Sequence, residues 1–301
     1  MRLYSPFAMS RLPVPTRWAA DSENGGLRVL LALAPIVVPA AYVVYVLRQG
    51  ARRTSASTRI SPPDPLVGES RAGTKGSDAT ARAGGTAMED GDTAAIPPAV
   101  LAEREQHVIA RERVVSDAVP LESICPSLRP GGRDDGSESA RKGLLETYLS
   151  NTMRLFTWTP QAFVMKSMVS RLPRGAEYAA TFSAPYLDSC RFEVGDRVCG
   201  VYVVRERVSQ PGGERVFLDL SPPVGWTGPV VDGVLDCGFV LGKGEGGEPY
   251  IRFVNETLLW RRKEDRPTLL EGKAGRWLHA LMVRWMVVRG VEAVTGVNEK
   301  I

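Results

Sequence analysis

The sequence predicts an α+β protein: one N-terminal transmembrane helix, a disordered tether, and a C-terminal domain whose antiparallel meander sheet is packed by helices, including a long C-terminal one. Three observations predict it. Val29 to Leu47 is a run of nineteen uncharged, mostly apolar residues. No Phe, Trp or Tyr occurs between Tyr45 and Tyr148, whereas five of the six tryptophans (Trp158, Trp226, Trp260, Trp277 and Trp285) lie beyond that gap. After Cys190 the apolar period switches to two, and near the C-terminus it returns to helical spacing.

Residues 1–28 form a basic leader, and residues 29–47 (VLLALAPIVVPAAYVVYVL) are long enough, at helical rise, to cross the hydrocarbon of a bilayer. Arg28 and Arg48 close the run. Pro35 and Pro39 are tolerated in a span better than in a soluble helix, because freed carbonyls find local partners. A secretory signal has a shorter apolar region and small residues at a cleavage site, whereas VLRQGARR follows here. The N-terminal flank carries Arg17 and Arg28, and the C-terminal flank Arg48, Arg52, Arg53 and Arg59. That asymmetry predicts a single-pass protein whose C-terminal domain is cytosolic, on an endomembrane. The leader, with Arg2, Arg11, Arg17 and no acid before Asp21, also suits a mitochondrial presequence, so the mitochondrial inner membrane is the alternative.

Residues 48–140 read as a flexible linker. The stretch SRAGTKGSDATARAGGTAMEDGD has no hydrophobic period and too little apolar surface to offset its ordering entropy. Within the linker, Ala99 to Val115 (AVLAEREQHVIARERVV) has helix-forming composition, which predicts a short amphipathic helix near 99–115. Arg129 to Lys142 returns to linker chemistry.

Residues 141–298 are the predicted α+β domain. Leu144 to Phe156 has apolar residues at helical spacing. A second helix is signalled by Thr159 as cap, Pro160 at the first helical position and Trp158 with Phe163 at staple positions, and Pro173 ends it. Its Val164, Met168 and Leu172 read as a core stripe. Strands follow over Arg191–Val194, Arg197–Val208, Glu214–Leu220, Val230–Leu241 and Tyr250–Arg262, separated by Gly, Pro and Asp turns. Short loops between successive strands argue for an antiparallel meander. On the last strand Tyr250, Val254, Leu258 and Trp260 share one face and Ile251, Phe253 and Leu259 the other, so both faces are largely apolar. Trp277 to Val294, with Leu278, Leu281, Trp285 and Val288 at helical spacing, supplies a helix to cover one of them.

Charge excludes one class of partner. Residues 1–60 carry eight Arg against Asp21 and Glu23, so the formal +4 of the chain belongs to the membrane flanks and the remainder is near −2. Such a domain lacks the basic footprint of a nucleic-acid binder. Cys125, Cys190, Cys199 and Cys237 form no CxxC pair, and with His107 and His279 alone the chain predicts no metal site and four free thiols.

The candidate catalytic residues are Glu256, Asp232, Asp236 and His279. Asp232 and Asp236 share one face of their strand, where two carboxylates divide acid and base duties when close together; charged strand residues usually face water, which puts them opposite Leu235, Cys237 and Phe239. Glu256 sits on an apolar stripe, where burial raises a carboxyl pKa unless an Arg from a neighbouring strand pairs with it. His279 reads as a surface residue of the last helix, near Arg276. Asn255-Glu256-Thr257 matches a glycosylation sequon, but a strand interior hides it. Gly242, Gly244 and Gly247 satisfy GxGxxG, yet a strand follows instead of the helix whose N-terminus the pyrophosphate needs. No cofactor is predicted.

Gly238-Phe239, the turn ending Gly247-Glu248-Pro249, then Phe253, Asn255, Thr257, Trp260 and Arg266-Pro267 before an amphipathic terminal helix together resemble the DUF1990-type proteins of the START-like, helix-grip group. The domain also looks like membrane-anchored proteins of filamentous fungi. The resemblance implies a hydrophobic cavity and no particular reaction. Together with the two-faced apolar sheet, it predicts a membrane-tethered domain that binds a hydrophobic small molecule, a lipid or an apolar metabolite. Two alternatives are an enzyme acting on such a ligand by carboxylate acid/base chemistry, and an adaptor docking another membrane protein.

Overall fold

The computed structural model describes residue 37 and residues 41–61, 95–130, 143–228 and 230–296. The basic leader, residues 29–36 and 38–40 of the predicted span, and residues 62–94 and 131–142 of the predicted linker lie outside the described residues. Among the described residues no helix is long and apolar enough to cross a membrane. Met1–Tyr45 and Val46–Ile301 form separate compact units, and the sheet belongs to the second.

The protein is α+β, as the sequence predicts, with an eight-stranded antiparallel sheet and a long C-terminal helix. Its strands are β1 (Thr54–Ser61), β2 (His107–Ser116), β3 (Val119–Pro120), β4 (Arg197–Val198), β5 (Tyr202–Gln210), β6 (Gly213–Leu220), β7 (Asp232–Lys243) and β8 (Pro249–Arg262). The order is β1-β2-β8-β7-β6-β5-β4, with β3 pairing β8. The helices are α1 (residues 41–53), α2 (Pro98–Ala102), α3 (Leu144–Phe156), α4 (Pro160–Val169), α5 (Gly175–Ala180), α6 (Ala184–Ser189) and α7 (Lys273–Thr295).

Strands β5 to β8 are the predicted meander, with turns where Gly and Pro demand them. Residues 191–194 are not a strand: Phe192 has φ 55° and Gly195 φ 97°, a left-handed turn that interrupts pairing ahead of β4. The larger correction lies upstream. Residues 99–115 are not one helix; α2 ends at Ala102, and His107–Ser116 is a central strand paired with both β1 and β8. Ala, Glu and Arg favour a helix there, but an isolated helix of that length is marginal in water, and two ladders of interstrand bonds plus inward burial of Glu112 and Val114 outweigh the propensity. Thr54–Ser61, read as linker, forms the edge strand beside it. The folded domain therefore begins well before residue 141.

The sheet has two covered faces. On one, α3 and α7 pack over Phe253, Ile251, Cys237, Val216 and Leu218, with Tyr148 of α3 stacked on Phe253 at 4.5 Å between ring centroids. On the other, Ala95, Ile96 and Val100 lie against Ile109, Phe217, Val234, Leu258 and Trp260. Alternation along β8 sends Phe253 and Asn255 to the first face and Val254 and Leu258 to the second. Gly290 lets α7 approach α3: a Cβ there would sit 2.6 Å from Tyr148 Cε2. The C-terminal half of α7 also meets α1, where Arg53 donates to Glu292 at 2.9 Å and a Cβ on Gly50 would lie 3.1 Å from Arg284 Cβ.

Candidate functional site

A cavity of about 180 Å³ opens between the first face and α7. Its walls are Met153 and Phe156 from α3, Leu235 from β7, Leu259 from β8, Leu269 and Leu270 from the loop before α7, and Met282, Val283 and Met286 from α7. The α7 residues share one face with His279, at spacings of three and four. The polar lining is Asn255 and Thr257 on β8, His279 on α7, Tyr202, Thr152 and Gln161. Burial raises the Tyr202 hydroxyl pKa well above its usual value, with Cys199 and Cys237 adding to the shift, so the phenol stays protonated.

His279 is not a surface residue. Its ring nitrogen Nδ1 lies 2.6 Å from Oε1 of Glu112, whose side chain is 1% exposed, against 11% for the histidine. With Glu112 ionised, Nδ1–H donates and the neutral ring keeps its lone pair on Nε2. Glu112 stands directly opposite Thr257 in the β2–β8 register, which puts the carboxylate on the cavity side of the sheet. Its Oε2 and the Asn255 Oδ1 are buried without a hydrogen-bond partner among the described residues. Asn255 is 3% exposed, so the sequon there is sealed in the sheet.

The candidate carboxylates lie on the opposite face. Asp232 is exposed at the start of β7. Asp236, expected to face water, is 1% exposed, because Arg215 of β6 donates from Nε to Oδ1 at 3.0 Å and from Nη2 to Oδ2. Burial pushes its pKa up to about 6, Arg215 opposes the shift and Glu256 adds to it. Glu256 is 3% exposed and has the arginine partner its position called for: Arg111 Nε at 2.7 Å, with Arg113 Nε at 3.7 Å. The structure thus brings Asp236 and Glu256 together, pairs both with arginines, and leaves Asp232 and His279 elsewhere. Both carboxylates face away from the cavity and spend their oxygens on guanidinium groups, which leaves them out of reach of a ligand held there.

Among the described residues no group of three or more His, Cys, Asp or Glu is gathered to hold a metal ion. All four cysteines are free thiols. Gly242, Gly244 and Gly247 lie at the β7–β8 hairpin, with β8 following. Sequence reasoning missed Glu112, because residues 99–115 read as a helix. The signal was present in ARERVVS, where alternation from Ala110 sets Glu112 in line with Val114 and Ser116 on an inward face.

Fold and site together define a class: an α+β domain whose long C-terminal helix closes a largely apolar cavity with several polar groups in its lining. Comparison of the chain with protein-family models, curated proteins and solved structures returns no match.

Proposed function

We propose that the domain binds a small, largely apolar molecule with one polar group, held between the sheet and α7. The observation that carries this is the cavity itself, largely apolar, with the unpaired Asn255 Oδ1 and the Glu112–His279 pair among its polar groups. An apolar cavity of about 150 Å³ holds benzene, so this one, at about 180 Å³, suits about seven non-hydrogen atoms, a small apolar metabolite or part of an acyl chain rather than a whole lipid. The resemblance to helix-grip proteins supports the same reading. We further read Val29 to Leu47 as an anchor; Tyr42, Val43, Val44 and Tyr45 of α1 are apolar and exposed, which supports it.

A second reading is favoured by one observation. With Nδ1 tied to Glu112, His279 is oriented to accept a proton at Nε2, as a general base toward a ligand hydroxyl or a carbon acid beside a carbonyl. The carboxylates once favoured for that duty, Asp236 and Glu256, point away from the cavity.

The test uses the full chain in nanodiscs. Saturation-transfer NMR with phenol and with 4-methylphenol should show binding, and Val283→Phe, which fills the cavity, should abolish it while far-UV circular dichroism is unchanged. Equal transfer in both proteins would overturn the binding reading. Binding lost in Glu112→Gln but kept in His279→Gln would remove the histidine from the site.

A further inference from the structure

Helix α4 has an unusual surface. Its N-terminus is firmly built: Thr159 Oγ1 accepts from Ala162 N at 3.2 Å, with Pro160 at the first position. Yet the helix buries only Ala162 and Val169. Trp158 is 77% exposed, Phe163 66%, Val164 59% and Met168 39%. Four large apolar side chains in eleven residues thus stand in solvent, where the sequence had predicted a core stripe.

Charge says what covers them. From Thr157 to Arg174 there is no acidic residue, and Lys166, Arg171 and Arg174 are interspersed. Arg174 is paired with Glu177, but Lys166 and Arg171 form no ion pair among the described residues. The core of a protein interface is depleted in lysine. A Trp and Phe face ringed by Lys and Arg, without acids, is the composition of a helix lying at the headgroup level of an anionic bilayer.

Chain connectivity points the same way. The predicted span ends at Leu47 and β1 starts at Thr54, so six residues, not a long tether, join them. With Val29 to Leu47 read as an anchor, so short a connection would keep the domain near the bilayer surface.

We propose that the exposed face of α4, with Trp158 ahead of it and Lys166 and Arg171 beside it, docks on an anionic phospholipid surface. The helix also supplies Gln161 to the cavity, so the docked state keeps the cavity within about one helix diameter, roughly 10 Å, of the headgroups. The docking itself does not depend on what the cavity binds.

The experiment is quenching of tryptophan fluorescence by brominated phosphatidylcholine, with the full chain in nanodiscs that contain or lack phosphatidylserine. The expected result is a quenched component with phosphatidylserine that disappears in Trp158→Phe, an exposed substitution that leaves the fold intact. Lys166→Gln with Arg171→Gln should shift the docking equilibrium by roughly 30-fold, at about one unit of surface attraction per charge, and reduce that component. Quenching identical in wild type and Trp158→Phe would overturn the proposal. So would α4 protected from solvent only by concentration-dependent self-association, which would make a second copy the occupant.

Discussion

Asp236 on β7 and Glu256 on β8 stand directly opposite each other in the antiparallel register, two carboxylates buried side by side at the centre of the sheet. Cβ atoms of such pairs are about 5 Å apart, and like charges there repel unless cations intervene. Arg215 takes Asp236, and Arg111 and Arg113 take Glu256. The two carboxylates are charge-paired within the sheet, which is why the cluster reads as structure.

It carries a pH signature of unusual sign. Because burial holds the Asp236 pKa at about 6, above its usual value of 3.8, the folded protein takes up this proton more readily than the unfolded chain. The contribution to stability is complete below about pH 4 and is lost as pH rises through about 6. Urea unfolding from pH 4 to 7 should show wild type losing stability relative to Asp236→Asn as pH rises, by up to about 3 kcal/mol. A gap that stays constant with pH would contradict the assignment.

The Glu112–His279 pair should behave as a coupled unit. His279→Ala leaves a carboxylate that is 1% exposed without its Nδ1–H donor, at a cost of about 1–3 kcal/mol. Adding Glu112→Gln should recover part of that loss, with a coupling energy above about 1 kcal/mol in a double-mutant cycle. Strict additivity would mean that the two side chains do not share a hydrogen bond.

Gly290→Ala tests the seam between α3 and α7. Alanine favours a helix over glycine by about 1 kcal/mol, but the new Cβ would lie 2.6 Å from Tyr148 Cε2 and 2.8 Å from Thr152 Cγ2. Overpacking at a buried seam costs about 1–3 kcal/mol. The variant should therefore melt lower than wild type, and a higher melting temperature would show that the seam has slack.

Thiol chemistry should separate the cysteines. Cys199 and Cys237 are fully buried, and burial pushes both thiols well above their usual pKa, with Cys190 adding to the first and Asp236 to the second. Only Cys125 is half-buried. N-ethylmaleimide should modify Cys125 first under native conditions, and the other three only after unfolding. Early modification of Cys199 or Cys237, read by peptide mass spectrometry, would show local opening of the core.

Much of the fold was legible because its signals are local. Period-two patterning between Gly and Pro turns marked β5 to β8, Thr159 with Pro160 marked the start of α4, and helical spacing marked α7. Glu256 on an apolar stripe correctly called for an arginine. The first two strands were not legible. TSASTRIS has little apolar content, and AEREQHVIARERVV is rich in helix formers; what makes each a strand is a partner distant in sequence, Ser116 across from Thr54 and Trp260 across from Ile109.

The sequence by itself determined the α+β class, the C-terminal location of most of the core, the free thiols and the two-faced character of β8, because each follows from composition or from spacing within a single segment. Only the tertiary structure decided that Asp236 is buried, that α4 turns its apolar stripe outward, and that His279 meets Glu112, 167 residues earlier in the chain. Those outcomes depend on which surfaces from distant segments exclude water together, and periodicity within one segment holds no record of the surface that will face it.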